Sequence, residues 1–209
     1  MIIPALLTDD KHKLQQMLDI CQDFCSYAQI DIMDGEFVPS RSITAGELSE
    51  VSSPIGCEAH LMVQDPFSWV EPFLKLNTDR IIFHYESPVN HLEFIDFLRQ
   101  RNLGVGLAIN PDTPLEAIKD LVDKIDMVLF MSVVPGFYGA KFIPQVLTKI
   151  ESFRQQFPDC PVGIDGGIKL DNVIKAYQCG VKYICVGSAL MKAPSPAAAY
   201  KQFKQKINE

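Results

Sequence analysis

Short apolar runs alternate with amphipathic stretches from one end of this chain to the other, and nothing else in the sequence constrains the fold as much. The strand candidates are Ile2–Leu7, Tyr27–Ile32, Glu58–Met62, Arg80–His84, Val105–Ile109, Met127–Met131, Val162–Ile164 and Tyr183–Val186. Most lack polar alternation, as parallel strands covered on both faces do. Between them the spacing predicts helices running from Asp9/Asp10 towards Phe24, and from Pro66 through Trp69, Val70 and Phe73. Others are predicted over His91–Arg101, Pro114–Leu121, Ile143–Phe157, about Asp171–Gln178 and about Pro196–Ile207. The segment Ser42–Val51 is short and polar and carries the weakest helical pattern.

Eight strand–helix units leave two architectures, a closed eight-fold barrel or an open doubly wound sheet. No G-x-G-x-x-G follows the first strand, so the dinucleotide-binding sheet lacks its main signature. The count of eight predicts an α/β fold, a single (β/α)8 TIM barrel, forming one domain over residues 1–209. A composition of 47% hydrophobic and 22% charged residues supplies a core of that size.

The net charge of -7 weighs against nucleic-acid and anionic-membrane partners. It leaves room for an anionic small molecule, because backbone amides bind phosphate whatever the net charge. The start Met1-Ile2-Ile3-Pro4 has no basic region ahead of a long apolar one, and no apolar run approaches a membrane span. A cytoplasmic setting is expected. The six cysteines show no CxxC spacing and read as reduced, mostly buried thiols.

A barrel of this kind carries its chemistry at the carboxyl ends of the strands. Strand two ends with Asp31, and Gln29 shares its face by strand periodicity. Strand three carries His60, strand four ends at His84, and strand five leads into Asn110-Pro111. Strand six runs from Met131 into Gly136-Phe137-Tyr138-Gly139, strand seven ends in Asp165-Gly166-Gly167, and strand eight in Gly187-Ser188. Each feature alone has an ordinary reading. A strand-end Asp is often a turn former, a His in an apolar strand is often a core residue, and Asp34 orders a loop. Together they fall on one face. Asp31 and Asp165 are then the pair of carboxylates that two-base proton transfer requires. The backbone amides of Gly166, Gly167, Gly187 and Ser188 would bind a phosphate, and loop 136–139 would close over it. The expected substrate is a small phosphorylated molecule.

These residues resemble the ribulose-phosphate 3-epimerase family along nearly the whole chain. The matches are Asp31-Ile32-Met33-Asp34-Gly35 with Phe37-Val38-Pro39, His60-Leu61-Met62-Val63, and Asn110-Pro111 with Thr113-Pro114. They continue with Pro135-Gly136-Phe137, Gly139, Lys141-Phe142-Ile143-Pro144, Asp165-Gly166-Gly167 and Gly187-Ser188. The resemblance implies a metal-dependent barrel that inverts C3 of a pentulose 5-phosphate through an enediolate. It implies acid/base roles for Asp31 and Asp165, which would also ligate a divalent ion such as zinc, manganese or iron, with His60 as a third ligand. His60 would border the sugar too, and Met33, Met62 and Met131 would line the reacting centre.

This chain departs from the family pattern at several points. Gln29 stands where the family has a fourth, histidine ligand, and it offers only an amide oxygen. Ala5 lacks a hydroxyl that family members carry, and Glu36, Ser40, Val134 and Ala140 replace other family residues. Two alternatives stay open beside the epimerase. One is a sugar-phosphate-binding barrel with weakened or lost metal catalysis. The other is a barrel decarboxylase, which needs a lysine among the carboxylates where this chain has Met33 between Asp31 and Asp34. The exact sugar, the metal and assembly into a homo-oligomer are left open.

Overall fold

The computed structural model describes residues 1–136 and 140–208. The strands are β1 (Ile2–Leu6), β2 (Tyr27–Met33), β3 (Gly56–Met62), β4 (Thr78–His84), β5 (Gly104–Ile109), β6 (Met127–Met131), β7 (Val162–Asp165) and β8 (Tyr183–Val186). All eight pair in parallel in chain order, and β8 returns to β1 to close the sheet. The (β/α)8 barrel expected from the alternation is the fold.

Strand periodicity divides the apolar residues into two sets. Ile3, Ala5, Ile82, Ala108, Met127, Leu129, Met131 and Cys185 face inward and pack on one another. The alternate residues, among them Ile30, Ile32, Leu61, Phe83, Phe130 and Ile164, face outward into the layer beneath the helices. The lower interior is closed by an ion pair. Glu58 is buried and meets Arg80 Nε at 2.8 Å, while the guanidinium lies 4.6 Å over the Tyr183 ring. Burial pushes the Glu58 carboxyl up and Arg80 opposes that shift. The upper interior is left for other polar groups.

The helices are α1 (Lys11–Cys21), α2 (Ala45–Leu48), α3 (Phe67–Leu74), α4 (His91–Arg99), α5 (Gln145–Gln156), α6 (Val173–Gln178), α7 (Ser188–Met191) and α8 (Pro196–Lys206). Asp10 caps α1 by accepting from the His12 and Lys13 amides, and Leu14, Met17, Leu18 and Cys21 form its buried face. The polar 42–51 stretch still makes one turn of helix, α2, because Thr44 and Glu47 form a reciprocal capping box. The helix predicted over Pro114–Leu121 is replaced by a single 3-10 turn, Leu115–Ala117, with a second, Val122–Lys124, just beyond it. Neither has a capping side chain, and the short turns already bury Ile118, Leu121, Val122 and Ile125. No separate helix was expected at α7. Among the described residues no helix is long and apolar enough to cross a membrane.

Candidate active site

Parallel register brings the candidate residues to one end of the barrel. β2 and β3 align Asp31 with His60 and Met33 with Met62, and β6 and β7 align Met131 with Asp165. Inside the barrel His60 Nδ1 lies 2.9 Å from Asp31 Oδ1 and 3.3 Å from Asp165 Oδ2. The imidazole is wholly buried, and the aspartates are 9% and 8% exposed, so the three meet at the floor of the cleft. Burial alone would lower the His60 pKa. Hydrogen bonds and charges from Asp165 and Asp31 outweigh that and raise it to about 10. Burial, then the neighbouring charge of Asp165, pushes the Asp31 carboxyl up against hydrogen bonds from His60 and Gln29.

The two carboxylates and the imidazole offer ligand atoms within 4.8 Å of one another. Hard oxygens with one borderline nitrogen suit zinc, manganese or iron. The donor set therefore fits a divalent ion.

Gln29 is fully buried just beneath this group and meets it through nitrogen. Its Nε2 donates to Asp31 Oδ1 and to Asp165 Oδ2, both at 2.8 Å. Its Oε1 accepts from Cys185 Sγ at 3.1 Å. Burial holds the Cys185 pKa well above its ordinary value, so the thiol keeps the proton it donates. As arranged, the amide cross-links the two aspartates.

Behind His60 runs a second buried chain. His60 Nε2 lies 3.0 Å from His84 Nε2, with the rings stacked at 5.2 Å, and His84 Nδ1 lies 3.2 Å from Glu86 Oε2. Burial, with the charge of His60, lowers the His84 pKa. Burial opposes ionisation of Glu86. Hydrogen bonds from His84, Thr113 and the Asn110 amide nevertheless lower its pKa to about 2. His84 had read as a core residue, and nothing in the local sequence pointed to Glu86.

Above the carboxylates a cleft is lined by Ala5, Met33, Met62, Met131, Gly136, Gly166, Gly167, Gly187 and Ser188. Lys169 also reaches this lining and had not been singled out from sequence. Phe137, Tyr138 and Gly139 lie outside the described residues. Ser132 donates to Asp165 O at 2.9 Å and to Gly166 O at 2.6 Å, tying the end of β6 to the turn after β7. Gly167 adopts φ +63°, and a Cβ there would lie 2.8 Å from the Phe142 backbone nitrogen. Asp34 orders the loop after β2, accepting from Glu36 N and Phe37 N at 2.8 Å and from Gln64 N at 2.6 Å. Ser40, one of the departures, donates its hydroxyl to Gly136 O and links the loops after β2 and β6.

Buried acid/base groups at the carboxyl end of a (β/α)8 barrel, under a glycine-lined cleft, define a barrel enzyme. The ribulose-phosphate 3-epimerase family model matches residues 1–191. The ribulose-phosphate 3-epimerase of Schizosaccharomyces pombe is 33% identical over 93% of this chain and 88% of its own length. The enzyme of that name from Mycobacterium leprae is 31% identical over 99% of this chain and 94% of its own. The 3-hexulose-6-phosphate synthase of Salmonella typhimurium shares the fold, with a TM-score of 0.71 at 15% identity over 99% of this chain and 98% of that one. The chain belongs to the ribulose-phosphate 3-epimerase family, and it is an isomerase.

Proposed function

We propose that this protein is a metal-dependent 3-epimerase of a ketose phosphate, working in the cytoplasm. Its substrate is D-ribulose 5-phosphate, converted to D-xylulose 5-phosphate, or a close pentulose or hexulose analogue. The observation that carries this reading is the convergence of Asp31 from β2 and Asp165 from β7 on one imidazole nitrogen, at 2.9 and 3.3 Å.

Two carboxylates this close cannot both ionise at low cost, and burial first, then the charge of Asp165, raises the pKa of Asp31. One proton shared between them leaves one group a base and the other an acid, which is what inversion at a carbon α to a carbonyl requires. One aspartate removes the C3 proton and leaves an enediolate, and its partner returns a proton to the opposite face. Asp31, His60 and Asp165 would hold a divalent ion, which when bound supplies Lewis-acid stabilisation of negative charge on the substrate oxygens. Met33, Met62 and Met131 line the same cleft with thioethers, which have no acidic proton to exchange.

The amides of Gly166, Gly167, Gly187 and Ser188 bind the phosphate, with Lys169 adding charge. Gly167→Ala tests this cup. An alanine at φ +63° against the Phe142 backbone must displace one segment or the other. Inorganic phosphate is expected to bind roughly tenfold or more weakly, about 1.4 kcal/mol, by calorimetry. Unchanged affinity would mean that the anion sits elsewhere.

The second reading, a sugar-phosphate-binding barrel that has lost efficient catalysis, is favoured by one feature. The Gln29 amide already occupies a lone pair on each aspartate. Incubation with ribulose 5-phosphate and a divalent ion in deuterium oxide separates the two. The epimerase incorporates deuterium at C3 and forms xylulose 5-phosphate. A binding protein does neither while still retaining the sugar phosphate.

A further inference from the structure

Asn110-Pro111 and Thr113-Pro114 have no part in the proton transfer just described, yet they meet the far end of the chain that starts at His60. Glu86 Oε1 accepts from the Asn110 amide at 2.9 Å and from the Thr113 hydroxyl. Lys149 Nζ in turn donates to Asn110 O at 2.9 Å and Pro111 O at 3.1 Å, anchoring that loop to α5. With Oε1 occupied by two donors, Oε2 is the oxygen that meets His84 Nδ1 at 3.2 Å. Each later link follows from donor and acceptor identity alone.

A carboxylate oxygen can only accept, so His84 carries a proton on Nδ1. Neutral His84 then has a lone pair on Nε2. His60 Nε2, 3.0 Å away, must be the donor across that gap. Both rings are fully buried, so bulk water does not compete for these contacts. The opposite nitrogen, His60 Nδ1, is the one that faces Asp31 and Asp165.

We propose that Glu86 is a positioning residue which, acting through His84, fixes a proton on His60 Nε2 and so keeps Nδ1 available to the group held between Asp31 and Asp165. The inference rests on the epimerase reading only for what Nδ1 then does, which is to bind the metal. In this arrangement the Asn110 amide and the Thr113 hydroxyl exist to aim the carboxylate.

Glu86→Gln makes the test nearly isosteric. Its oxygen keeps the Asn110 and Thr113 donors, so its NH2 faces His84 Nδ1 and forces that nitrogen to accept. The proton moves to His84 Nε2, and His60 Nε2 loses its own. Nitrogen-15 NMR of histidine-labelled, metal-free protein reads this directly. The parent is expected to show His84 protonated on Nδ1 alone and His60 carrying a proton on Nε2, and Glu86→Gln to show His84 protonated on Nε2 and His60 without its Nε2 proton. Zinc affinity is expected to fall about 10–100-fold in Glu86→Gln. Thr113→Val removes a donor but keeps the carboxylate, and it is expected to retain the parent proton positions.

Identical proton positions in the parent and Glu86→Gln would overturn the proposal. So would the same change in Thr113→Val, or that change in Glu86→Gln without loss of zinc by a parent that binds it. A parent that binds no zinc overturns the metal reading instead, and the proton positions then decide this inference by themselves.

Discussion

Asp31→Asn and Asp165→Asn are each expected to lower kcat for epimerisation by about 10²–10⁴-fold, the range that one positioned acid or base supplies. Inversion needs a proton removed on one face and returned on the other, and in the proposed mechanism each aspartate serves one face. The substitution keeps the shape of the side chain but weakens one proposed ligand of the divalent ion, so activity is compared at saturating metal. Gln29 Nε2 donates to both residues at 2.8 Å, and an asparagine oxygen can accept the same bond. Loss of fold is therefore not expected, and thermal unfolding of each variant checks it. The informative measurement is solvent deuterium at C3 alongside the change of configuration. A variant that keeps the aspartate facing the C3 hydrogen of the supplied sugar can still exchange that proton while failing to invert the centre. Exchange without inversion from one epimer in one variant, and from the other epimer in its counterpart, is the signature of two bases. Near-parent epimerisation in either variant would exclude the mechanism.

Much of this site was legible because barrel geometry turns sequence position into place. Asp31 and Asp165 end apolar runs that are followed by glycine, and in a closed parallel sheet such positions share one rim. His60 follows from the same register, whereas the methionines came from the family resemblance and the register sets them beside it. What was not legible depends on contacts between distant segments. Cys185 reads locally as one more buried thiol, and only the closed barrel brings it to Gln29, 156 residues away. The amide's orientation, and so which of its atoms faces the carboxylates, follows from that contact. Glu86 is similar, because its role is set by Asn110 and Thr113 from the next loop. The Pro114–Leu121 helix failed for another reason. Its apolar spacing is helical, but without a capping side chain the segment makes only one tight turn and still buries Ile118 and Leu121.

Gln29→His is expected to tighten zinc binding by about 10–100-fold, the span by which changes around a metal centre move affinity. In the present arrangement Gln29 cannot act as a ligand, because its Nε2 is a donor and faces the carboxylates. To present Oε1 the amide must turn over and give up the hydrogen bond from Cys185 at 3.1 Å. Even then an amide oxygen is a weaker donor to zinc than an imidazole nitrogen. On the metal-dependent reading, Gln29 therefore opposes the ion twice. It withholds a ligand, and it occupies a lone pair on each aspartate that would otherwise be free. A neutral imidazole at position 29 removes both obstacles and adds a nitrogen beside that of His60. The centre would then have two carboxylates and two imidazoles, a complete four-ligand set. Chelator competition on the metal-free proteins measures the difference without reference to activity. If metal occupancy limits turnover, epimerisation at sub-saturating zinc rises in the same proportion. Equal zinc affinity in the two proteins would mean that position 29 lies outside the ligand shell, and that the amide serves only to hold the aspartates together.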